Sequence, residues 1–327
     1  MDLNEIANEH LKTMNLSWDF APDSVHDIGD ISLEKVNHFI GMCNQFREYP
    51  ITDDPLTVLK KFELFRENTI TFGCFLLFCK EPALTTTIDA GRFDSEVIIR
   101  DSATIRDDLF SEVDAAMNFV RKHISKRMII TGKAQRDEVW EYPLEAVREV
   151  VINMIVHRDY RASADSTIKV FGDKIELFNP GGLPPGISMN DILSGKIASN
   201  PRNKQIASIF KEAGIIEKYG SGIRRVRQTM TTAGAADPLF EGLADCFKVT
   251  LYSIDGGGVS GGVSGGVSGG TVELLDFIYN NPGQNTRQIQ NQLGITRRTL
   301  ERLLKTLRDQ GKIEFRGAPK TGGYYIK

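Results

Sequence analysis

Apolar residues at helical spacing predict several helices in the first half of the chain. Amphipathic helices are predicted over Ser32–Phe46, Pro55–Asn68 and Thr104–Ile124, and a strand is predicted over Ala83–Phe93. A further helix, Tyr142–Tyr160, has five apolar residues at helical spacing: Val147, Val150, Val151, Met154 and Ile155. The pattern therefore predicts a body of mixed helices and strands.

The last of these helices also carries an unusual polar stripe. Glu149, Asn153 and His157 recur every four residues, so they share one face of the helix beside its apolar face. Surface helices usually carry lysine and glutamate instead. The stripe is a candidate functional site, and a buried polar network that fixes the segment His157–Tyr160 is the alternative.

Two glycine turns follow the polar stripe. Residues 166–187 are predicted as a hairpin that turns at Gly172-Asp173 and runs into a Gly/Pro loop, Asn179–Gly186. A second turn, Gly220–Gly222, precedes a helix that carries Arg224 and Arg225 near its start. Glycines before a helix N-terminus allow backbone N–H groups to approach a phosphate, whose charge the helix dipole favours. A purely structural role for the first turn is the alternative.

The tail, residues 271–327, has the pattern of a small helical domain that ends in a hairpin. Thr271–Asn281 is predicted as a helix with four apolar positions: Val272, Leu275, Ile278 and Tyr279. Thr286 is predicted to cap a short helix, Arg287–Leu293, and Thr296 to cap the next. That second helix has four leucines on one face: Leu300, Leu303, Leu304 and Leu307. With strands over 312–317 and 322–327, this order predicts a winged helix-turn-helix.

Composition separates this tail from the rest of the 327-residue chain. Gly256–Gly270 holds three VSGG repeats without charge or large side chains, which predicts a flexible linker spanning about 22 Å. The tail has a net charge of +5 in a chain of net charge −3, so the residues before it carry −8. A basic module attached to an acidic body points to nucleic acid as the partner of the tail.

The predicted second helix of the tail has the two faces that DNA recognition needs. Opposite its leucines lie four basic residues: Arg297, Arg298, Arg302 and Lys305. We expect all four to bind double-stranded DNA: Arg297, Arg298 and Arg302 would enter the major groove, and Lys320 in the wing would contact the backbone. A solvated helix face and a protein-interaction module are the alternatives. The tail resembles the winged helix-turn-helix domains of bacterial transcription regulators.

The body resembles a known family in several blocks of sequence. A polar-stripe helix, a strand pair into a glycine loop and a glycine turn before a helix resemble the GHKL ATPase fold of histidine kinases, gyrases and MutL-type proteins. More closely, EAVREVVINMIVHRDY, IELFNPGGLPPG, NPRN and IIEKYGSGIRRV are similar to the RecG-helicase C-terminal-like, or divergent AAA, family of transcriptional regulators. The resemblance spans Ile51–Tyr252 and implies an α/β (α+β) body with a mixed sheet. Members usually carry a Schlafen AlbA-type domain ahead of this region; none is recognisable here, so we expect a fragment or a shortened member.

The resemblance also implies roles for individual residues. Asn153 would bind Mg²⁺ at the triphosphate of ATP, and Glu149 would be the catalytic residue that orients the attacking water. Asn179 stands where GHKL enzymes have an aspartate that accepts the adenine amino group, so this contact would lack a full charge. The remaining nucleotide-binding candidates are His157, Gly181, Gly182, Gly220, Ser221 and Gly222. The segment 186–203, which would serve as the lid, is not glycine-rich, so hydrolysis would be weak at most.

Several classes of protein are excluded by absent motifs. The sequence has no GxxxxGK[ST] loop, so it is not predicted to be a helicase motor. It has no CxxC pair, no apolar run of membrane-spanning length and no secretory signal at its N-terminus. These features lead us to expect a cytoplasmic protein.

The sequence therefore predicts a DNA-binding transcriptional regulator with four parts. These are an N-terminal helical or α+β region (1–130), a GHKL-like domain (131–255), the flexible linker (256–270) and the winged helix-turn-helix (271–327). The body would act as a sensor, with ATP and Mg²⁺ as its ligand, or as a platform for a homodimer. The alternative is an ATPase that its winged helix recruits to DNA or to a protein.

Overall fold

A computed structural model gives the fold. It describes residues 17–82, 86–129, 137–184, 186–194, 200–216, 222–254, 274–275, 277–279, 281–293, 297–309, 311–318 and 322–326. The chain divides into two units, Met1–Ile254 and Asp255–Lys327. Within the described ranges, no helix has the length and hydropathy of a membrane span.

The first unit begins with short 3₁₀ turns and a small helical layer. Its elements are α1 (Leu33–Asn44), α2 (Pro55–Lys61), β1 (Phe65–Arg66), β2 (Thr69–Ile70) and α3 (Phe72–Phe78). The N-terminus of each helix is capped by a side chain that accepts a backbone hydrogen bond: Ser32, Asp54 and Thr71. The predicted helix Ser32–Phe46 is thus present as α1.

The predicted helix Pro55–Asn68 is wrong in its second half. The helix ends at Lys61, and Glu63 then adopts a left-handed conformation with φ of 61°. The chain turns back through Glu67 and Asn68, which also have positive φ, and pairs β1 with β2. Three left-handed residues within six positions cannot continue a right-handed helix.

The central layer of the first unit is built from the remaining elements. They are β3 (Ile88–Ser95), β4 (Ile98–Ile105), α4 (Leu109–His123), β5 (Lys126–Ile129), β6 (Asp137–Trp140), α5 (Leu144–His157), β7 (Ser166–Val170), β8 (Lys174–Pro180), α6 (Met189–Leu193), α7 (Lys204–Glu212), α8 (Gly222–Thr232), β9 (Leu239–Gly242) and β10 (Cys246–Tyr252). The predicted start of a helix at Thr104 is wrong, because β4 extends to Ile105 and Asp108 caps α4. The predicted strand at 83–93 is present as β3, apart from residues 83–85, which lie outside the described residues.

Six of these strands form one mixed sheet in the order β4-β3-β7-β8-β10-β9. Every neighbouring pair is antiparallel except β3 and β7, which run parallel in the register Ile88↔Ser166. α4 and α5 cover one face of the sheet, where alternate residues of the strands are buried. β3 and β4, which belong to the predicted N-terminal region 1–130 of the body, lie in the same sheet as β7–β10 of the predicted GHKL-like domain.

The second unit has the order helix, helix, hairpin. Its elements are α9 (Thr286–Leu293), α10 (Arg297–Asp309), β11 (Ile313–Arg316) and β12 (Gly323–Ile326). All four leucines predicted to line α10 are buried in its core. The cap of α9 is Asn285, not Thr286, because its Oδ1 accepts from the Gln288 N–H while the Gln288 side chain accepts from the Asn285 N–H.

The prediction for the segment before α9 is confirmed at Ile278 and wrong at Tyr279. Leu274 and Ile278 are buried in the core of the second unit, whereas Leu275 is only half-buried and Tyr279 is exposed. Leu274 and Ile278 are four residues apart, so they lie on one helical face. Val272 lies outside the described residues.

Candidate functional site

The polar stripe of α5 faces the N-terminus of α8. Asn153 Nδ2 lies 3.3 Å from Glu149 Oε1, and the guanidinium of Arg225 in α8 pairs with the other carboxylate oxygen, Oε2. The Glu149 side chain is 13% exposed and that of Arg225 is 34% exposed, so the carboxylate is largely removed from water and the guanidinium is not. The structure therefore brings Glu149, Asn153 and the start of α8 together. The spacing of four residues had indicated that Glu149 and Asn153 lie on the same face of the helix.

Gly222 lets α8 approach this pair closely. A Cβ atom at Gly222 would lie 3.2 Å from Asn153 Nδ2 and nearer still to Glu149 Oε1, so no larger residue fits there without displacing the stripe. Gly220 and Ser221, the other predicted members of this turn, lie outside the described residues.

His157, the third member of the stripe, sits at the last turn of α5. Burial lowers the pKa of its imidazole to about 4, and the positive charge of Arg202 acts in the same direction. The ring is therefore neutral at pH 7. A neutral imidazole can donate and accept hydrogen bonds but supplies no positive charge to a phosphate.

Asn179 lies at the end of β8 and is buried. Its Oδ1 accepts a 2.9 Å hydrogen bond from the Ser166 hydroxyl on the neighbouring strand β7. An adenine amino group would have to share this oxygen, so the geometry fits a structural tie between the strands better than a base-binding acceptor. Its assignment to nucleotide stays a prediction.

Gly181 and Gly182 occupy a tightly packed turn. Gly181 has φ of 110°, and its N–H donates to the carbonyl oxygen of Asp245 at 2.8 Å. A Cβ atom at Gly182 would lie 3.0 Å from the carbonyl oxygen of Leu243 and nearer still to that of Ala244. Gly181 is therefore required by its backbone conformation and Gly182 by packing, whether or not a phosphate approaches them.

Arg202 joins this turn to the end of α5. Its Nε donates to the His157 carbonyl oxygen at 3.1 Å, and Nη2 donates to the Gly182 carbonyl oxygen at 2.8 Å. Nη1 lies 3.5 Å from the Asp159 carboxylate. One guanidinium thus fixes the relative positions of three sequence blocks, HRDY, NPGG and NPRN.

Neighbouring residues anchor the same junction. Asn203 Nδ2 donates to the carbonyl oxygens of Val156 and Arg158, at 2.9 and 2.8 Å. Arg158 is buried and donates to the Thr87 carbonyl oxygen at 2.6 Å, and the Tyr160 hydroxyl donates to the Ile155 carbonyl oxygen at 2.9 Å. The bonds from Asn203 and Tyr160 satisfy carbonyl groups at the C-terminal end of α5, which a helix leaves without partners, and the bond from Arg158 ties this end to the residue before β3.

The two parts of this region differ in whether they could bind a ligand. Glu149 and Asn153 supply a carboxylate and an amide oxygen, which suit Mg²⁺ or a water molecule once Arg225 releases the carboxylate. The junction around Arg202 is fully engaged in holding the backbone. No cluster of three or more His, Cys, Asp or Glu side chains suited to a metal occurs in the part of the chain that the structure describes.

The candidate DNA-binding surface lies on α10. Leu300, Leu304 and Leu307 are buried, whereas Lys305 and Arg308 are exposed. α10 also carries Arg297, Arg298 and Arg302, whose side chains lie outside the described residues, as does Lys320 of the wing. The leucine face is therefore buried as predicted. Of the predicted basic residues of α10, the structure describes the side chain of Lys305, which is exposed, as is that of Glu301. The DNA contacts stay a prediction.

Two partners of the site were not predicted from the sequence. Arg225 and Arg202 pair with groups 76 and 45 positions away along the chain. The blocks NPRN and GSGIRRV pointed to these segments, but only the fold shows which arginine meets which group.

Comparisons with known proteins agree with this two-part organisation. Residues 164–251 match the family described as "Putative ATP-dependent DNA helicase recG C-terminal", and residues 271–314 match "Winged helix-turn-helix DNA-binding". The chain therefore carries a RecG C-terminal-like, ATPase-type domain and a winged helix-turn-helix. The first match is shorter than the predicted span from Ile51 to Tyr252, and the polar stripe of α5 precedes it.

A solved structure has a similar fold. It is that of the DIP2311 protein from Corynebacterium diphtheriae, with 16% sequence identity and a TM-score of 0.58. The similarity covers 95% of this chain and 70% of that one. At this identity the likeness concerns the fold alone. Among curated proteins, none matches this chain.

Proposed function

We propose that the protein is a transcriptional regulator that binds double-stranded DNA through its winged helix-turn-helix. The observation that carries this proposal is the form of α10, which has buried leucines on one side and exposed Lys305 and Arg308 on the other. It belongs to a tail of net charge +5. Phosphate neutralisation supplies most of the affinity of such a module.

The contacts we propose are local. Arg297, Arg298 and Arg302 enter the major groove at the start of α10, where a recognition helix meets base edges. Lys305 lies one turn farther along and contacts phosphate, as does Lys320 on the wing. A single short helix binds weakly, so a homodimeric body that presents two copies would raise the effective concentration and read paired half-sites.

The salt dependence of DNA binding tests this proposal. With about four phosphate contacts, log K should fall with log salt at a slope near −3.6. The double substitution Arg297→Glu/Arg298→Glu should weaken binding and flatten the slope. The matched control is Lys211→Glu, an exposed lysine of α7 in the body, which should change neither. An affinity that does not respond to salt, or equal losses in both variants, would remove DNA binding from the proposal.

A second candidate function is nucleotide binding by the body. The observation that favours it is the Glu149–Asn153 pair against Gly222 at the N-terminus of α8. When bound, ATP with Mg²⁺ would supply a triphosphate and a cation, and Asn153 and Glu149 would hold the cation and orient water. The body would then be a nucleotide sensor or a weak ATPase recruited to DNA.

Thermal unfolding with and without millimolar Mg²⁺-ATP tests this candidate. Ligand at a hundred times Kd adds about 2.7 kcal/mol to the free energy of unfolding. A rise in Tm that Asn153→Ala abolishes would support a site on α5. Glu149→Ala then distinguishes an ATPase from a nucleotide sensor, because an ATPase with this substitution would lose ATP turnover and keep the rise in Tm. No shift in the unsubstituted protein would leave the polar stripe as a structural network.

A further inference from the structure

The carboxylate of Glu149 has a partner at each of its two oxygen atoms. Oε1 lies 3.3 Å from Asn153 Nδ2, and Oε2 pairs with the guanidinium of Arg225. In this arrangement a positive charge stands at the oxygen that a cation or a water molecule would approach. The residue that the nucleotide-binding candidate assigns to orient water is therefore held by a neighbouring side chain.

Arg225 reaches Glu149 from the first turn of α8. The helix begins at Gly222, and residues three positions apart lie on the same helical face, so Gly222 and Arg225 both face the polar stripe of α5. Helical side chains also lean toward the N-terminus of their helix. The guanidinium and the positive end of the helix dipole thus act on the same carboxylate. The neighbouring side chain of Arg224 is exposed.

The ion pair is not what holds α8 on α5. The apolar side of α8 supplies Val226 and Met230, which are 1% and 0% exposed in the core of the first unit. A partly buried ion pair adds little to stability beyond such contacts, because the cost of removing the charges from water offsets much of their attraction. Packing alone therefore does not explain why a glutamate and an arginine meet here.

We propose that Arg225 alternates between two anionic partners, the Glu149 carboxylate and a phosphate group of a bound nucleotide. The structure shows the first pairing. Transfer of the guanidinium to phosphate releases Oε2, so that Glu149 can orient water only after nucleotide has bound. This exchange rests on the second candidate function, nucleotide binding by the body. DNA binding by the tail does not depend on it.

The chemistry of the two anions favours the transfer. A guanidinium forms paired hydrogen bonds with phosphate, and a triphosphate carries more negative charge than one carboxylate. The Arg225 side chain is 34% exposed and can be approached from solvent, whereas the Glu149 side chain is 13% exposed. The released carboxylate keeps a positive neighbour, because Asn153 beside it would hold the Mg²⁺ that accompanies the triphosphate.

The exchange makes Glu149 a competitor of the triphosphate. Calorimetric titration of the full-length chain with ATP in excess EDTA isolates this competition, because Glu149 then contributes nothing through Mg²⁺. Glu149→Gln should lower the Kd for ATP about tenfold, and Arg225→Gln should raise it about tenfold, since each change alters one charged hydrogen bond. An ion pair that only held α8 in place would weaken binding when either partner is replaced.

Two controls isolate the phosphate and the position. Arg224→Gln removes an exposed arginine of the same turn and should leave the Kd for ATP unchanged. Adenosine carries no phosphate, so Glu149→Gln should not tighten its binding. A gain for adenosine equal to that for ATP would overturn the exchange.

Thermal unfolding without nucleotide tests the ion pair itself. Arg225→Gln leaves a largely buried carboxylate without its cation and should lower the Tm by at least about 2 °C. The double substitution Glu149→Gln/Arg225→Gln should restore most of this loss, and Arg224→Gln should lose nothing. Equal Tm values for the single and the double variant would show that the two side chains do not pair, and would overturn the proposal.

The titrations separate this exchange from the function on which it rests. If neither the unsubstituted chain nor Glu149→Gln binds ATP, with or without Mg²⁺, both nucleotide binding and the exchange are overturned. Binding that is equal or weaker in Glu149→Gln would overturn the exchange and leave nucleotide binding standing. Tighter binding in Glu149→Gln, weaker binding in Arg225→Gln and no change in Arg224→Gln would support it.

Discussion

At the scale of single residues, the sequence blocks of the body are explained first by packing. Arg202 donates to the carbonyl oxygens of His157 and Gly182, and Asn203 closes the end of α5. Charged hydrogen bonds to buried carbonyl groups are among the stronger contributions to stability. The NPGG and NPRN segments therefore have a structural role that needs no ligand. In contrast, the carboxylate of Glu149 and the amide oxygen of Asn153 could bind a cation or a water molecule.

The packing role of Gly182 gives the first prediction. Gly182→Ala should lower the free energy of unfolding by about 1–3 kcal/mol, because its Cβ would overlap the backbone carbonyl of Ala244. The control is Gly172→Ala in the turn between β7 and β8, where no atom lies within 4 Å of the added Cβ. Urea unfolding followed by the fluorescence of Trp18 and Trp140 measures both. Equal midpoints for the two variants would contradict the packing role.

A second prediction concerns Glu112, a buried residue of α4. Burial raises the pKa of its carboxyl to about 8, although a hydrogen bond with Thr86, the Asp107 N–H and the charge of Arg158 act in the opposite direction. Between the unfolded pKa near 4.5 and about 8, the folded state holds the proton and the unfolded state does not. The stability contributed by the protonated group is therefore complete below the unfolded pKa and is lost as pH rises through about 8.

The test of Glu112 uses the window from pH 6.5 to 8. There, stability should fall with rising pH by up to about 1.4 kcal/mol per unit. Glu112→Gln carries no titrating proton and should flatten this slope. His157 does not interfere, because its lowered pKa costs stability only as pH falls below about 6.5. An unchanged slope in Glu112→Gln would show that the carboxyl titrates normally.

At the scale of elements, the sequence correctly predicts features that depend on residues close together in the chain, such as the start of a helix or its buried face. The helix predicted from Ser32 by its apolar spacing is present as α1, and the four leucines of α10 are buried as their spacing indicated. The last two residues of β4, Thr104 and Ile105, were assigned to a helix because β4 has no clear alternation of apolar and polar residues. An edge strand needs only one packed neighbour, so its pattern is less constrained.

The candidate site shows the same limit. The period of four placed Glu149 beside Asn153 correctly, because both belong to one helix. The partners Arg225 and Arg202 depend on how distant segments fold together, and no local pattern encodes such a contact. The same holds for Asn179, whose hydrogen bond with Ser166 follows from the pairing of β7 with β8.

At the scale of the whole molecule, the chain consists of two units with separate cores. The core of the first unit and the core of the second share no residue, and the VSGG repeats lie between them. Because a linker of this composition transmits little packing energy, the two units should unfold independently. If the two units were energetically coupled, they would unfold together in one cooperative transition.

A matched pair of core leucines tests this independence by calorimetry. Leu177 in β8 and Leu304 in α10 are 2% and 3% exposed. Replacing either with alanine should cost about 2–5 kcal/mol in its own unit. Leu304→Ala should lower the Tm of the tail by about 10 °C or more and leave that of the body unchanged, and Leu177→Ala should do the reverse. If each substitution instead moves a single common transition, the units are energetically coupled, and a ligand bound by the body would have a direct route to the DNA-binding helix.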